Sequence, residues 1–494
     1  MEPSYLYRRL AAQGAMIERL TADSRRSAPG VAFFAYPGEA SDGRRYIGDA
    51  IGRGAAAVLW ESEGFSWNGG WQVPNVAVSG LKAHAGVLAD EFYGRPSESL
   101  WACGVTGTNG KTSCSQWLAS LLNGRGARTA VIGTLGSGFP GALNAEQNTT
   151  PDALDLQARL AQFVREGAQG VAMEASSHGL AQGRLNAVRF DCALFTNLSQ
   201  DHLDYHGTLE AYGEAKARLF DAPGLAAAVL NLDDVFGVRL AQRLAARGMR
   251  TIGYALSPAA IAPGSVTEYL AAREIRPQAD GSLVSLVSSW GPREVRINQP
   301  GRFNVANALG VLGCLIAHGI PYADAAPLLA TLPALPGRMQ RLGGDGRPLV
   351  YIDYAHTPDA LEKVLFALRP LADARGGSLV AVFGAGGERD ASKRAPMGAA
   401  ASRHADRLVL TSDNPRSEDP LAILAQVRSG VTAPCLVEPD RGAAIENAVR
   451  HARASDLVLV AGKGHERVQE IAGRALPFSD AEVALDALAR WSGA

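Results

Sequence analysis

The sequence predicts an α/β protein with mostly parallel sheets, divided into about three domains. Short apolar runs rich in β-branched residues alternate with helical patterns along most of the chain, as in AAAVLW, VAVSG, GVAMEAS, CALFTNL, AAAVLNL, LVAVFGAGG, RLVLTSDNP and LVLVAGKG. This alternation is typical of parallel strands covered by helices. A chain of 494 residues is also longer than the roughly 100 to 200 residues of an ordinary domain.

The residue composition excludes several classes of protein. Apolar residues make up 47% and charged residues 20%, the balance of a globular protein. Lys and Arg number 48 against 49 for Asp and Glu, so no bulk positive field is available to hold nucleic acid or anionic lipid. The five cysteines are far apart and match neither a metal spacing nor a redox pair. With no signal-like N-terminus and no membrane-spanning run, we expect a cytoplasmic protein.

Two segments interrupt the strand and helix pattern and predict domain boundaries. GRPSES, near residues 93–99, precedes the strand run LWACGVTG. LPALPG, near residues 332–337, concentrates proline and glycine after a long helical stretch, as an interdomain connector does. Several strand runs end in small or polar residues, and open α/β sheets bind ligands at the carboxyl ends of their strands. We therefore look for function at those ends.

The segment GTNGKT at 107–112 follows an apolar strand and opens a helix whose apolar residues recur at the helical period. Glycines let backbone N–H groups surround phosphate oxygens, and the helix N-terminus adds partial positive charge. Lys111 would reach the terminal phosphates and Thr112 would ligate Mg²⁺. Val105 stands where the general phosphate-loop pattern has its first glycine. A glycine-rich turn is the alternative, but the register of strand, lysine and threonine favours a phosphate loop.

Two further strand ends carry groups that ligate metals. Glu174 in MEASSHGL and the cluster DHLDYH at 201–206 follow apolar runs, and carboxylate and imidazole ligands there suit a divalent cation that bridges nucleotide phosphates. For the His cluster, a polar loop or helix cap is the alternative, and its position after a strand favours ligation. Lys216 in GEAKARLF has, by composition, the pattern of an ordinary helix-face lysine.

Eight motifs, in order along the chain, resemble those of the Mur ligase superfamily: GTNGKT, MEASSHGL, TNLSQDHLDYHG, EAKARLF, GRFNVANA, LPGRM, DYAHTPD and GKGHE. TADSRR, DGRRYI and DNPR are similar to the UDP-N-acetylmuramoyl-tripeptide synthetases within it. The resemblance implies a UDP-substrate-binding α/β domain over 1–97 and a central ATP-binding domain with a phosphate-loop ATPase-type, mostly parallel sheet over 98–335. It also implies a C-terminal Rossmann-like domain over 336–494 that binds an amino acid.

The same resemblance implies a set of nucleotide and metal contacts. The ATP-binding residues would be Gly107, Thr108, Asn109, Gly110, Lys111, Thr112, Ser113, Asn307, Arg338 and Asp353. Mg²⁺ would be held by Thr112, Glu174, His202 and Lys216, the last as a carbamate. Carbamylation turns the lysine cation into a carboxylate, which explains how this side chain can lie beside magnesium. Lys111, Lys216 and His202 are the implied catalytic residues.

Resemblance also assigns the two other substrates. The uridine-nucleotide substrate would contact Ala22, Ser24, Glu39, Ala40, Ser41, Asn148, Thr149, Thr150, Ser176, Gln182 and Arg184. The amino acid would contact Arg389, Asp413, Asn414, Pro415, Arg416, Gly462 and Glu466. A guanidinium at Arg416 can bind the distal carboxylate of diaminopimelate, which lysine lacks. A β-turn also explains DNPR, but not its arginine. Glu388, where the family more often has aspartate, weakens the assignment of Arg389.

The implied activity is ATP-dependent amide ligation in peptidoglycan synthesis. Meso-diaminopimelate would be joined through an acyl phosphate to the D-glutamate γ-carboxylate of UDP-N-acetylmuramoyl-L-alanyl-D-glutamate, by a monomer without nucleic-acid or membrane partners. One alternative is a related ligase such as folylpolyglutamate synthetase, against which DNPR and TADSRR argue. Another is a phosphate-loop ATPase or nucleotide-binding regulator, which would turn over ATP without an amine. A purely structural α/β protein is the third.

Overall fold

The structure is a computed structural model that describes residues 3–39, 41–146, 148–278 and 280–493. The chain forms two compact units. The first comprises Met1–Thr106, Leu122–Leu194 and Ala215–Ala228, and the second comprises Gly107–Leu121, Phe195–Glu214 and Val229–Ala494.

The N-terminal part of the first unit is a parallel sheet of four strands in the order β1-β2-β3-β4. Its elements are α1 (Pro3–Ala12), β1 (Arg19–Thr21), β2 (Val31–Ala35), α2 (Ile47–Gly52), β3 (Ala57–Glu61), β4 (Asn75–Val78) and α3 (Leu81–Phe92). Phe33 and Phe34 of β2 belong to different buried clusters, because successive side chains point to opposite faces. Both faces of this sheet are therefore covered.

The middle of the chain supplies the largest sheet, which has eleven strands. Its elements begin with β5 (Trp101–Thr106), α4 (Lys111–Gly124), β6 (Thr129–Gly133), β7 (Gly136–Phe139), β8 (Ala142–Asn144), α5 (Ala153–Arg165), β9 (Gly170–Glu174), α6 (Ser177–Ala181) and β10 (Cys192–Phe195). They continue with α7 (Leu203–His206), α8 (Leu209–Ala217), β11 (Ala227–Asn231), α9 (Val235–Ala245), β12 (Arg250–Ala255), β13 (Glu268–Gln278), β14 (Gly281–Ser288), β15 (Arg293–Ile297), α10 (Arg302–Ala317) and α11 (Tyr322–Ala325).

Within the first unit the strands of this sheet follow the order β5-β9-β6-β7-β8, with β5, β9 and β6 parallel and the last two pairings antiparallel. Within the second unit β12 and β13 are parallel, whereas β13, β14 and β15 are antiparallel. The sequence therefore predicted the parallel strands, but it did not predict the antiparallel β13 to β15 segment.

The C-terminal part of the second unit has a six-stranded sheet in the order β16-β17-β21-β18-β19-β20, in which only β16 is antiparallel. Its elements are β16 (Gln340–Gly343), β17 (Leu349–Asp353), α12 (Pro358–Ala374), β18 (Leu379–Phe383), α13 (Arg394–His404), β19 (Arg407–Leu410), α14 (Pro420–Arg428), β20 (Cys435–Val437), α15 (Arg441–Arg450), β21 (Leu457–Ala461), the hairpin β22 (Val468–Ile471) and β23 (Arg474–Pro477), and α16 (Asp480–Ala489).

The predicted α/β class with mostly parallel sheets is confirmed. Each strand run singled out in the sequence contributes a strand, because short β-branched runs buried on both faces are stable only inside covered sheets. Among the described residues, no helix is long and apolar enough to cross a membrane.

Candidate active site

Two glycines that have no room for a side chain shape the phosphate loop. Gly107 has φ +145°, and a Cβ there would lie 1.9 Å from Thr196 Oγ1. Gly110 has φ +88°, and a Cβ there would lie 2.4 Å from Asn307 Oδ1. Glycine tolerates both the conformation and the close approach. The structure therefore brings Asn307, on the largely buried helix α10, against the loop.

The segment that follows β10 holds the loop backbone. The Thr108 N–H donates to the Asn197 carbonyl at 2.8 Å, and the Asn109 N–H donates to the Asn197 side-chain oxygen at 3.0 Å. The Thr196 hydroxyl donates to the Asn109 carbonyl at 2.6 Å. Sequence reasoning missed Thr196 and Asn197 as site residues, although both belong to the TNLSQDHLDYHG motif.

Lys111, Thr112 and Arg338 come together at the loop. The Lys111 amine folds back and donates to the carbonyls of Gly107 and Thr108, both at 2.9 Å. The hydroxyl of Thr112, a buried residue, accepts a hydrogen bond from Arg338 Nη2 at 3.0 Å. A cationic amine and a guanidinium therefore flank a loop of the kind that binds phosphate.

Asp353 braces the turn that carries Arg338. Its carboxylate accepts hydrogen bonds from the Met339 N–H at 2.7 Å and the Ala355 N–H at 2.9 Å. Burial raises the pKa of Asp353, and these two N–H groups oppose that shift. The contacts of its carboxylate thus fix the position of Arg338.

Asp201 lies beside two histidines. Its carboxylate is 3.4 Å from His202 Nε2 and 4.0 Å from His356 Nε2, and it is almost buried. Burial alone would raise the pKa of Asp201, but the nearby charges of His356, His202, Lys393 and Lys111 outweigh it and hold the pKa below its usual range. The sequence placed Asp201 and His202 in a cluster of candidate metal ligands but did not single out His356. His356 stands in the DYAHTPD motif, which was the available signal.

Glu174 ends β9 as a buried carboxylate, 1% exposed. One of its oxygens accepts the Thr134 N–H at 2.8 Å and the other accepts the Thr134 hydroxyl at 3.0 Å. The Thr134 hydroxyl also lies 3.1 Å from that of Thr149. Thr150 donates to the Glu174 carbonyl at 2.8 Å, and its hydroxyl is 2.9 Å from that of Ser176. Four predicted site residues therefore form one polar cluster in the first unit.

A second chain of contacts in the first unit joins three more of the predicted residues. Arg184 donates to the Gln182 side-chain oxygen at 2.8 Å and to the Thr150 carbonyl at 2.6 Å. Gln182 in turn donates to the Glu39 carboxylate at 2.8 Å. Residues that are distant in sequence thus meet on one polar surface.

The other residues assigned to the uridine nucleotide lie at strand ends or in loops. Ala22 and Ser24 follow β1 and Ser41 follows β2, and these two strands are parallel neighbours, so all three lie at one edge of the sheet. Asn148 is exposed, and Ala40 lies outside the described residues. Lys216, near the end of α8, is 1% exposed, and Ser113 is buried in the first turn of α4.

Three loops after neighbouring parallel strands form the predicted amino-acid site: 384–389 after β18, 411–417 after β19 and 462–466 after β21. The Gly387 N–H donates to the Asn414 carbonyl at 2.9 Å, and a Cβ on Gly387 would lie 2.0 Å from the Pro415 carbonyl oxygen. Gly462 has φ +117°, and a Cβ there would lie 2.3 Å from Asp413 Oδ2. The three loops are therefore in contact.

Two acidic side chains in this site, Asp413 and Glu466, differ in their hydrogen-bond partners. Asp413 is buried, and its Oδ2 has no hydrogen-bond partner among the described residues. Glu466 Oε2 accepts from Asn414 Nδ2 at 2.9 Å and from Lys463 Nζ at 2.7 Å. Lys463 is fully buried and also donates to Asn414 Oδ1 at 2.8 Å. The sequence did not single out Lys463, although GKGHE contains it.

Arg416 is fixed by protein contacts on two sides. Its Nε is 3.0 Å from Glu470 Oε2, and its Nη1 donates to the Gly387 carbonyl. Arg416 therefore has Glu470 as an ion-pair partner before any substrate binds. Arg389, also predicted here, is exposed and has no protein hydrogen bond in the described part of the chain.

A buried ion pair that the sequence did not reveal supports the loops. Arg441 and Asp480 are both 0% exposed, and two nitrogens of the guanidinium donate to the two carboxylate oxygens at 2.7 Å each. Arg441 also donates to the carbonyls of Ser412 at 3.2 Å and Ala461 at 3.0 Å. The pair therefore ties the end of β21 to the loop after β19.

Comparison with known proteins identifies the family. Residues 16–93 match the "Mur ligase family, catalytic domain" model, residues 105–315 the "Mur ligase middle domain" and residues 337–464 the "Mur ligase, glutamate ligase domain". The chain is 51% identical over 480 residues to the UDP-N-acetylmuramoyl-L-alanyl-D-glutamate--2,6-diaminopimelate ligase of Janthinobacterium sp. (strain Marseille), covering 95% of this chain and 94% of that protein.

Two further comparisons agree. The protein of the same name from Chromobacterium violaceum is 50% identical, with 97% of this chain and 95% of the relative covered. A solved structure of a UDP-N-acetylmuramoyl-L-alanyl-D-glutamate--2,6-diaminopimelate ligase superposes with a TM-score of 0.66 at 36% identity, covering 96% of this chain and 95% of that chain. Identity at this level over nearly the full length, together with the motifs described above, establishes that the chain belongs to the Mur ligase family.

Proposed function

We propose that this chain is an ATP-dependent amide ligase that adds meso-diaminopimelate to the D-glutamate γ-carboxylate of UDP-N-acetylmuramoyl-L-alanyl-D-glutamate in peptidoglycan synthesis. The observation that carries the proposal is the pairing of charges in the C-terminal site. The buried Asp413 Oδ2 lacks a partner, and Arg416 stands within the same group of loops. An ammonium and an extra carboxylate, as in diaminopimelate, complement these two groups.

ATP is the nucleotide, in keeping with the family and with the phosphate loop. Loop N–H groups and the Lys111 amine contact the phosphates, and Ser113 follows them in the first turn of α4. Asn307 contacts the nucleotide beside Gly110, and Arg338, braced by Asp353, contacts the phosphates. Arg338 directly follows the 332–337 connector, and contact between Arg338 and phosphate can couple nucleotide binding to movement of the C-terminal part.

Mg²⁺ fits the chemistry of the residues present. Glu174 offers carboxylate oxygens, His202 an imidazole and Thr112 a hydroxyl, and these are suitable ligand types. Thr112 would exchange its contact with Arg338 for the metal. The nearly complete burial of Lys216 favours a carbamate over a solvated ammonium. When bound, Mg²⁺ would neutralise charge on the phosphates.

The chain's own residues orient and polarise the reactants. The D-glutamyl γ-carboxylate attacks the γ-phosphorus of ATP, and the bond between that phosphorus and the bridging oxygen breaks. ADP leaves, and the glutamyl group becomes an acyl phosphate. Lys111 and the loop N–H groups stabilise the charge on the transferring phosphoryl group. The diaminopimelate amine then attacks the acyl carbon, loses a proton and displaces phosphate as the amide forms. No protein nucleophile takes part, so positioning is the main contribution of the protein.

The uridine-nucleotide substrate lies on the polar surfaces of the first unit. Its nucleotide part contacts Ala22, Ser24 and residues 39–41. Its sugar-peptide part contacts the hydroxyls, amides and guanidinium of Asn148, Thr149, Thr150, Ser176, Gln182 and Arg184. These side-chain types suit a polar, anionic ligand. The Glu39 carboxylate is engaged by Gln182, which leaves its backbone for the substrate.

The domain organisation and location follow from the same proposal. We infer domains over 1–97, 98–335 and 336–494, since the four-stranded and six-stranded sheets fall within the first and last ranges. The reaction belongs in the cytoplasm, where ATP is available, and none of the five cysteines, all of which the structure describes, forms a disulfide, in keeping with a reducing compartment. We propose that the chain acts as a monomer.

Phosphate release tests the function. The assay contains ATP, Mg²⁺ and UDP-N-acetylmuramoyl-L-alanyl-D-glutamate, with meso-diaminopimelate, L-lysine or no amine. We expect release that depends on diaminopimelate, with UDP-tripeptide as product. Preference for lysine would overturn the role of Arg416 while preserving the ligase, and release that is indifferent to any amine would support an ATPase instead.

A further inference from the structure

The hairpin strand β22 lies along the loop that follows β19 and contacts it at successive residues. The Gln469 side chain donates to the Asp413 carbonyl at 2.8 Å, and the Glu470 N–H donates to Asn414 Oδ1 at 3.0 Å. The Arg416 N–H donates to the Glu470 carbonyl at 3.0 Å, and the Ala472 N–H donates to the Arg416 carbonyl at 2.6 Å. Strand β22 and the turn that follows it therefore contact the loop at residues 413, 414 and 416.

This support matters most at Arg416, whose backbone is in an unfavourable conformation. Arg416 has φ +54°, which lies in the left-handed region of backbone conformation. Residues other than glycine and asparagine rarely adopt this region. Such a conformation is unfavourable and persists only when its surroundings impose it. The two backbone hydrogen bonds to residues 470 and 472 impose it here, and they set the direction in which the arginine side chain leaves the loop.

The guanidinium of Arg416 is then oriented by one ion pair and one hydrogen bond. Glu470 Oε2 lies 3.0 Å from Nε, and the Gly387 carbonyl accepts from Nη1. Neither contact uses Nη2, and no described residue accepts a hydrogen bond from it. The arginine side chain is 23% exposed, against 46% for that of Glu470. Glu470 thus occupies the Nε side, the Gly387 carbonyl occupies Nη1, and Nη2 is left to an incoming carboxylate.

We propose that Glu470 is a positioning residue that determines specificity for the distal carboxylate of the amino-acid substrate. This inference rests on the proposed function. Glu470 holds the Arg416 guanidinium so that Nη2 faces the carboxylate that meso-diaminopimelate has and L-lysine lacks. It acts through Arg416 and does not touch the substrate. Without Glu470 the guanidinium of Arg416 samples several rotamers. Binding of the substrate carboxylate must then order the Arg416 side chain, which weakens binding.

The test compares steady-state kinetics of Glu470→Ala, Glu470→Gln and the wild-type enzyme with meso-diaminopimelate and with L-lysine. Loss of a partly exposed ion pair corresponds to roughly a two- to fivefold change in affinity. We therefore expect Glu470→Ala to raise KM for diaminopimelate about two- to fivefold, with kcat and KM for ATP unchanged, and to lower the preference over lysine by about the same factor. Glu470→Gln, which keeps an acceptor for Nε, should recover part of the loss.

The control is Glu446→Ala, which breaks partly exposed ion pairs with Arg450 at 3.3 Å and Arg490 at 3.4 Å in the same part of the chain. It should leave all of these constants unchanged. An unchanged or lower KM for diaminopimelate in Glu470→Ala, or an equal rise for both amines, would overturn the inference. If the wild-type enzyme releases no phosphate in response to diaminopimelate, the proposed function itself fails, which is a distinguishable result.

Discussion

At the phosphate loop and among the proposed metal ligands, single residues occupy positions with little room or little solvent. Gly107 approaches Thr196 too closely for any Cβ, and Lys216 and Glu174 are almost completely buried. Steric room and burial therefore restrict which residue can stand at each of these positions, in addition to the chemistry of its side chain. Substitutions there should therefore act on ligand binding through identifiable contacts.

Gly107→Ala should weaken ATP binding. The new Cβ would meet Thr196 Oγ1 at 1.9 Å and break the hydrogen bond from that hydroxyl to Asn109. The positive φ adds strain of about 1 to 3 kcal/mol, which corresponds to roughly tenfold or more in affinity. Calorimetric titration with ATP measures the effect. Gly124→Ala, at the end of helix α4 with open space around its Cβ, is the control, and equal weakening in both variants would contradict this explanation.

Lys216→Ala should abolish most of the ligase activity, because the proposed carbamate supplies a carboxylate that alanine lacks. Short carboxylic acids should restore part of the rate by entering the space left by the side chain. Phosphate release with and without added acetate is the measurement, and Lys82→Ala, at an exposed position, should resemble the wild-type enzyme. Full activity of Lys216→Ala in the absence of any acid would rule out the carbamate role.

At the scale of elements, buried ionic groups join strands to the helices and loops beside them. The Arg441 and Asp480 pair connects the first residues of α15 and α16 to the loop after β19 and the end of β21. At the opposite end of β21, Asp456 is 1% exposed and accepts from the N–H groups of Ser378 at 2.8 Å and Arg453 at 2.9 Å. These groups fix the sheet at both ends.

Arg441→Met should destabilise the C-terminal part of the chain by about 3 to 5 kcal/mol, because it leaves the Asp480 carboxylate buried without its partner. Urea unfolding followed by circular dichroism measures the loss. The double variant Arg441→Met/Asp480→Leu should be less affected, since neither charge is then buried. Arg250→Met breaks a partly exposed pair with Glu268 and should cost no more than about 1 kcal/mol. Similar losses in Arg441→Met and Arg250→Met would contradict the burial argument.

Asp456 should make stability depend on pH in the acid range. Burial would raise the pKa of Asp456, but the N–H groups of Ser378 and Arg453 and the Arg453 guanidinium outweigh burial and lower the pKa. Its stabilisation is therefore fully present above the unfolded pKa of about 3.9 and is lost as pH falls through the folded pKa. Melting temperatures between pH 7 and pH 3 should converge for the wild-type enzyme and Asp456→Asn. Exposed Asp486→Asn should parallel the wild-type enzyme, and a constant gap for Asp456→Asn would refute the prediction.

At the scale of the whole molecule, the sequence predicted what depends on local patterns. Short β-branched runs identified most of the parallel strands, and GTNGKT and DNPR identified loops that the structure places after β5 and β19. It did not predict β13 to β15, where charged residues such as Glu274 and Arg276 point outward in place of a continuous apolar run. Antiparallel strands with one exposed face lack the apolar run that marked the buried strands.

The rest of the site could not be predicted because its contacts join residues that are far apart in sequence. Asp201 meets His356, Arg441 meets Asp480, and Glu470 meets Arg416 only after the chain has folded. No periodicity marks such pairs, and a charged residue in a sequence gives no sign of whether its partner is solvent or another residue. The functional motifs therefore located the loops, while the structure identified which residues hold them.

The three contiguous loops after β18, β19 and β21 have a consequence for the chemistry of cell walls. The hydrogen-bond ladders between these strands do not depend on which side chains the loops carry. A ligase that selects a different building block can therefore arise by exchange of a short surface segment together with its supporting hairpin, while the sheet beneath is inherited unchanged. The amino acid that enters the peptide cross-link is, in this sense, determined by loops that can be exchanged between related enzymes.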